Sequence, residues 1–409
     1  MSDLLSSANP AWLLPVLLEG VRRLAKGREQ LAAVQRRSAD FVRSTATVKL
    51  QVDADGATRI GDPPSLERAA AIALGGSFGH LKLRTSVVQA GSGAATIHLL
   101  RHSFYRAGQK EPLGSLVEKV IQPPPGRNIA YLWAQEAAVY AHAQSFRDSL
   151  GVRLPACYGL SYRRGRIHLY LEDLAGLRHP RAERQLLWAA ESLGHFGGWA
   201  AREGVWKQPW LSEPSGSTGA LSFRGSRVKK NLGQVIVARS AIEQLLRDYQ
   251  SLRKALPAAR QLIQASPSTI AHLDAHSGNL LLPKSGGRPF LLDWAKAGRG
   301  RLGDDLLRLA SARHYLLNRG ASLEDFLSAE AALLERYLEG AERCLPRLTS
   351  EDVRHYFHLR SLIGSVRWLE RGGQLSDSFL RLKRKEQLRR REAMEAFLFL
   401  QIRRAKDLL

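Results

Sequence analysis

Apolar and polar positions divide the chain into a shorter strand-rich stretch and a longer helix-rich one. Between Leu81 and Ile121, three apolar runs (Val87-Val88, Thr96 to Leu100, Leu116 to Ile121) are separated by glycine-containing turns, the pattern of short hairpin-linked strands. Pro123-Pro124-Pro125-Gly126 interrupts it, and a helix is predicted from about Asn128 to Ser145. Two more strand-like runs, Tyr158 to Tyr162 and Ile167 to Glu172, flank Arg163-Arg164-Gly165. Beyond Gly176 the spacing is mainly helical. The exceptions are a Gly/Ser-rich basic loop, about Ser212 to Lys230, and a strand-loop-strand region around residues 270–293.

Upstream, residues 10–45 carry Leu13, Leu17, Val21 and Leu24 on one helical stripe, which either packs on the protein itself or lies on a membrane surface. Val48 to Ile60 alternates around Asp55-Gly56, a hairpin signal, and a short helix follows from Ser65 to Leu74. The order predicts an α+β chain with a helical and hairpin extension (1–75), a strand-rich lobe (76–173) and a helical lobe (174–409).

Composition narrows the class of function more than the fold. The 409 residues hold 61 Lys+Arg against 38 Asp+Glu, a net charge of +23, which favours phosphate-bearing metabolites, anionic lipid or nucleic acid as partners. Two cysteines, Cys157 and Cys344, make neither a disulfide framework nor a CxxC pair, so a thiolate zinc cluster is excluded and a reducing compartment is the simpler reading. The apolar stretch Trp12 to Leu18 contains Pro15 and is far short of the ~20 residues of a spanning helix. Its arginines follow it where a secretory signal would place positive charge before it. The expected location is the cytoplasm, with room for peripheral contact at the inner membrane face.

The chemistry concentrates in His272-Leu273-Asp274-Ala275-His276-Ser277-Gly278-Asn279, followed by Leu280-Leu281-Leu282 and, after a glycine turn, Phe290-Leu291-Leu292-Asp293-Trp294. Two apolar strands joined by a short turn would bring Asp274, Asn279 and Asp293 to one point. Asn279 and Asp293 offer the hard oxygens that magnesium takes alongside water and phosphate. Asp274 is then left to orient an acceptor hydroxyl and take its proton, the division of labour that phosphoryl transfer requires.

These residues resemble the aminoglycoside phosphotransferase/choline kinase-like branch of the protein-kinase-like fold. The family's H-x-D-x-x-x-x-N loop is matched by His272, Asp274 and Asn279. Its L-D-W strand end is matched by Leu292-Asp293-Trp294, and its downstream G-x-x-D-L by Gly303-Asp304-Asp305-Leu306-Leu307. Leu273 stands where the family usually has Gly, and Ser277 where Pro is common.

The resemblance implies a two-lobed kinase-like fold and an enzyme using ATP and Mg2+. In it Asp274 is the base, Asn279 and Asp293 are the metal ligands, and His272 and Asp305 brace the loop. It further implies that Lys119, paired with Glu136 on the following helix, positions the α/β-phosphates. Backbone groups near Glu172 and Leu174 would face the adenine. Gly91-Ser92-Gly93 lies between strand-like runs, where bare backbone amides could approach phosphates.

The acceptor is read less sharply: a small molecule or a sugar, including one on a lipid-linked or surface glycan. A nucleotide-binding pseudokinase scaffold is the alternative from another class, against which the intact Asp274, Asn279, Asp293 and Lys119 argue. Leu323 to Asp352 holds eight acidic and three basic residues, read as a solvated helix face or an acidic acceptor cleft. Arg381 to Arg391 holds seven Lys/Arg against one Glu and leads into Phe397-Leu398-Phe399-Leu400. That is either a packed terminal helix with its arginines in water or a contact with an anionic membrane surface. No nucleic-acid module signature accompanies the charge, which ranks nucleic acid last as a partner.

Overall fold

A computed structural model describes residues 66–75, 81–90, 96–106, 108–121, 135–142, 151–163, 166–208, 211, 225–236, 238–284, 286–370 and 375–408. The helix and hairpin expected before residue 61, and Gly91-Ser92-Gly93, lie outside them.

Helix α1 (Leu66–Ala73) precedes strands β1 (Leu81–Ala90), β2 (Thr96–Arg106) and β3 (Gly114–Ile121), then helix α2 (Gln135–Ala141) and the hairpin β4 (Cys157–Arg163) and β5 (Arg166–Glu172). The five strands form one antiparallel sheet in the order β1-β2-β3-β5-β4. The first two strands run longer than their apolar cores suggest. Pairing with a neighbour extends them through polar residues, and Val87 and Val88 stay exposed on the edge strand. Ala69 and Ala70 of α1 pack with Phe104, Leu116 and Tyr170, so this helix closes one face of the sheet.

The second lobe holds α3 (Glu183–Arg202), α4 (Gly225–Val235), α5 (Arg239–Ala265), β6 (Ser268–Ala271), β7 (Leu280–Leu281), β8 (Phe290–Leu291), β9 (Gly298–Arg301) and α6 (Leu306–Leu309). After a π-helical segment, Arg313–Arg319, come α7 (Leu323–Glu342), α8 (Ser350–Glu370), α9 (Asp377–Leu380) and α10 (Arg384–Leu408). Part of the expected basic loop is therefore helical: Gly225 to Lys230 open α4, whose buried Val228 and Leu232 supply the apolar stripe that fixes it.

Helices α3 and α7 cross in very close contact. A Cβ on Gly194 would fall on the Tyr337 carbonyl and one on Gly340 on that of Glu191. This places Leu193, Phe196, Leu334 and Leu338 in the same core as Trp294, which follows Asp293. No described helix is long and apolar enough to cross a membrane.

Candidate active site

Two short ladders present the motif residues. Strand β6 pairs with β9, and β7 pairs with β8 through Leu280↔Leu291 and Leu281↔Phe290. Leu292 N–H donates to the Asn279 carbonyl at 2.9 Å, and Asn279 Nδ2 to the Asp274 carbonyl at 3.0 Å. Asp274, Asn279 and Asp293 are thus tied to one another through backbone within a few bonds.

His272 braces both halves of this arrangement. It is fully buried, stacked edge-on against Trp294 at 4.8 Å, and its Nε2 donates to the Leu292 carbonyl at 2.7 Å. That leaves Nδ1 to accept the Asp274 N–H at 3.3 Å. Burial pulls its pKa down to about 4, so the ring is a neutral strut at ordinary pH.

Leu273 and Asp293 have φ of 61° and 60°, the left-handed region that a residue with a Cβ occupies at a cost of about 1–2 kcal/mol. At Leu273 the surroundings explain how this is held. Its N–H donates to Asp305 Oδ1 at 2.8 Å, and the same carboxylate takes the His272 backbone N–H. Burial raises the Asp305 pKa to about 7 despite those two bonds. The Asp305 bonds hold Leu273 in a conformation that glycine would adopt without strain.

From the other lobe, Lys119 on β3 reaches the same point. Its Nζ lies 2.7 Å from Glu136 Oε2 on α2 and 2.7 Å from Asp293 Oδ1. Burial alone would lower the Lys119 pKa, but the Glu136 and Asp293 carboxylates outweigh it and raise it. Asp293 responds in the opposite sense: burial pushes it up, and Lys119 then brings it below the usual carboxylate range. Glu136 is held above that range by burial even though Lys119 and the Trp294 N–H both bond it.

Glu118, next to Lys119 in sequence, points to the opposite face, as strand alternation requires. There it accepts from His102 Nε2 at 2.9 Å and His168 Nδ1 at 2.7 Å. Burial acts to raise its pKa, but these bonds hold it at about 2.

Three further side chains bear on the site that sequence reading passed over. Lys296 Nζ contacts Asp274 Oδ2 at 2.6 Å, and Arg308 contacts Asp274 Oδ1 at 3.1 Å. Their signal was position: Lys296 closes the turn after Asp293, and Arg308 lies one helical turn after Asp305. Asp173 ties the segment joining the lobes to the sheet by accepting from Arg101 Nη2 (3.1 Å), Ser115 Oγ (2.7 Å) and the Ala175 N–H (3.1 Å). Beside it, Glu172 ends β5 and its N–H is donated to the Ala156 carbonyl, while the Leu174 carbonyl accepts from Leu177 N–H.

The two charged stretches are engaged within the protein. On α7, Glu330 is buried against Arg404, Glu335 pairs with Arg354 and Glu339 with Arg336, so these acids brace helices. On α10, Phe397 and Leu398 are fully buried, so of the two readings of this run it is the packed terminal helix that these side chains follow. Arg390 of that helix donates to the Leu317 and Asn318 carbonyls at 2.8 Å, and Lys406 pairs with Asp248 at 2.6 Å.

Among the described residues no three His, Cys, Asp or Glu side chains are arranged to hold a metal by themselves. The donor set that exists, the Asp293 carboxylate and the Asn279 amide oxygen, suits a hard cation that completes its shell with water and phosphate. A five-stranded antiparallel sheet, a buried Lys–Glu pair and an acidic loop beneath it define a two-lobed protein-kinase-like enzyme. The sequence matches the phosphotransferase enzyme family over residues 112–348, more than half of the chain, and the protein belongs to that family.

No curated protein matches the sequence. Among solved structures, a Plasmodium vivax ethanolamine kinase is 12% identical, covering 95% of this chain and 94% of that one with a TM-score of 0.43. A spectinomycin phosphotransferase solved with ADP and spectinomycin is 11% identical (78% and 93% covered, TM-score 0.39). An aminoglycoside phosphotransferase from Streptomyces rimosus, solved with ADP and streptomycin, is 17% identical (65% and 90% covered, TM-score 0.36). At these TM-scores the likenesses are loose.

Proposed function

We propose that the protein transfers the terminal phosphoryl group of ATP to a hydroxyl of a small molecule or sugar, with Asp274 as the base. The bond from the γ-phosphorus to the β–γ bridging oxygen breaks and one to the acceptor oxygen forms; the nucleoside diphosphate leaves, and the hydroxyl proton passes to Asp274. Asn279 and Asp293 would hold Mg2+, which neutralises phosphate charge when bound. Lys119, kept cationic by its two carboxylates, would orient the α/β-phosphates, and the Glu172–Leu174 segment would receive the adenine. His272 and Asp305 act at a distance, by fixing the loop that carries Asp274.

The observation that carries this reading is the Lys119 ammonium lying 2.7 Å from both Glu136 and Asp293. A buried ammonium shared by two carboxylates from separate elements is expensive to assemble unless the three groups have a common task. The test is magnesium-dependent nucleotide turnover against a broad library of hydroxyl acceptors, with Asp274→Asn as control. Nucleotide binding with no turnover on any acceptor would replace this reading with that of a nucleotide-binding scaffold.

A further inference from the structure

The carboxylate proposed as base does not face an acidic cleft. Lys296 Nζ lies 2.6 Å from one of its oxygens and Arg308 Nη2 3.1 Å from the other, so two full cations meet one carboxylate, leaving a local excess of positive charge. Both side chains are about half exposed, 55% and 46%, so a ligand in solvent can reach them. The surroundings add to this excess. His276 stands in the field of Arg308 and Lys296, and His314 in that of Arg319 and Arg313. π-Helical turns are rare and frequently mark functional sites; this one carries His314, which lies within electrostatic reach of His276 on the loop. The carboxylates acting on His276 are Asp274 itself and Asp293, the latter already held by Lys119.

Both oxygens of the Asp274 carboxylate are thus engaged by cations. A second anion arriving beside it would draw the cations away and release an oxygen of Asp274 to the acceptor. Guanidinium and ammonium groups together suit an oxyanion, and repel the amino groups an acidic cleft would hold.

We infer that the acceptor carries a phosphate or carboxylate group, bound by Lys296 and Arg308, next to the hydroxyl that is phosphorylated. The inference rests on the phosphotransferase reading of the same site. It names an anionic hydroxyl compound, such as a sugar phosphate or sugar acid, as the substrate class.

Calorimetric titration of the full-length, Mg-ADP-loaded protein with glucose, glucosamine, glucuronate and glucose 6-phosphate tests it. The expected result is that at least one of the two anionic sugars binds roughly tenfold or more tighter than glucose, with glucosamine weakest. Which anion leads separates carboxylate from phosphate recognition. In Lys296→Gln and Arg308→Gln the advantage should shrink severalfold, with ADP affinity unchanged.

Equal binding of all four sugars, preference for glucosamine, or no detectable binding of either anion up to ~10 mM would overturn the inference, on the same affinity scale. So would an advantage that survives both substitutions, or an Arg308→Gln protein that loses ADP or ATP affinity with its discrimination among sugars intact, since the cations would then serve the nucleotide. Each of these results leaves the phosphotransferase reading standing. That reading is checked separately, by binding of Mg-ADP and turnover of Mg-ATP.

Discussion

The Nζ of Lys119 and Oδ1 of Asp293 lie 2.7 Å apart, although 174 residues separate them in the chain. This contact joins the sheet of the first lobe to the turn that follows β8. Glu136 shares the ammonium, and the Trp294 N–H reaches back to Glu136, so the three elements lock as a unit.

Breaking that unit should cost both stability and turnover. In Lys119→Met, two carboxylates lose their cation, and Glu136 is almost fully buried. We expect a loss of about 3–5 kcal/mol in unfolding free energy, read by denaturant titration. A full-stability Lys119→Met protein would show that the contact is not held in solution.

Asp274→Asn should remove phosphoryl transfer and spare nucleotide binding. Loss of a general base typically costs about 10²–10⁴-fold in rate. Turnover measured beside ADP affinity checks this, and a rate within tenfold of the parent would move the base elsewhere.

The left-handed Leu273 makes a conformational prediction. Leu273→Gly and Leu273→Ala remove the same side-chain contacts, but only glycine accepts a φ of 61° freely. The glycine protein should therefore be the more stable of the two by about 1 kcal/mol, even after its larger unfolded-state entropy is counted. Chemical denaturation of the two variants decides it; equal stability would mean that the Leu273 backbone is not left-handed.

Asp305 makes a prediction in pH. Its folded pKa of about 7 lies above the ordinary carboxylate value of 3.8, so between those limits the folded state binds more protons than the unfolded one. The sign follows: this group's contribution to stability falls as pH rises from about 4 to about 7, then levels off. Asp305→Asn keeps an oxygen for the Leu273 and His272 N–H groups but cannot ionise. Unfolding free energies at several pH values should show a less downward slope over that window in the variant. An unchanged slope would put the Asp305 pKa near its ordinary value.

Much of this was legible in the sequence because the information was local. Alternating apolar runs gave the strands of the sheet, and the glycine turn between Leu282 and Phe290 placed two short strands side by side. The order His272, Asp274, Asn279 and then Asp293 within a short span singled out the loop before any geometry was known. Strand ends misjudged in length, such as β1, owe their extent to pairing partners that local composition does not record.

Other features depended on neighbours distant in the chain. Period-two alternation dictates that Glu118 and Lys119 diverge, but which face meets Asp293 and which meets His102 and His168 is decided by how the lobes pack. The acidic run on α7 and the basic run on α10 each left two readings open until tertiary structure set Glu330 against Arg404 and buried Phe397. The cations on Asp274 were signalled only by position, because Lys296 and Arg308 belong to a turn and a helix whose directions follow from the β6–β9 and β7–β8 ladders. Residue types and spacing singled out the loop that carries Asp274 and the turn that carries Asp293. Long-range packing, which alone sets the charge around each carboxylate, decided that Lys119 meets Asp293 and that Lys296 and Arg308 meet Asp274.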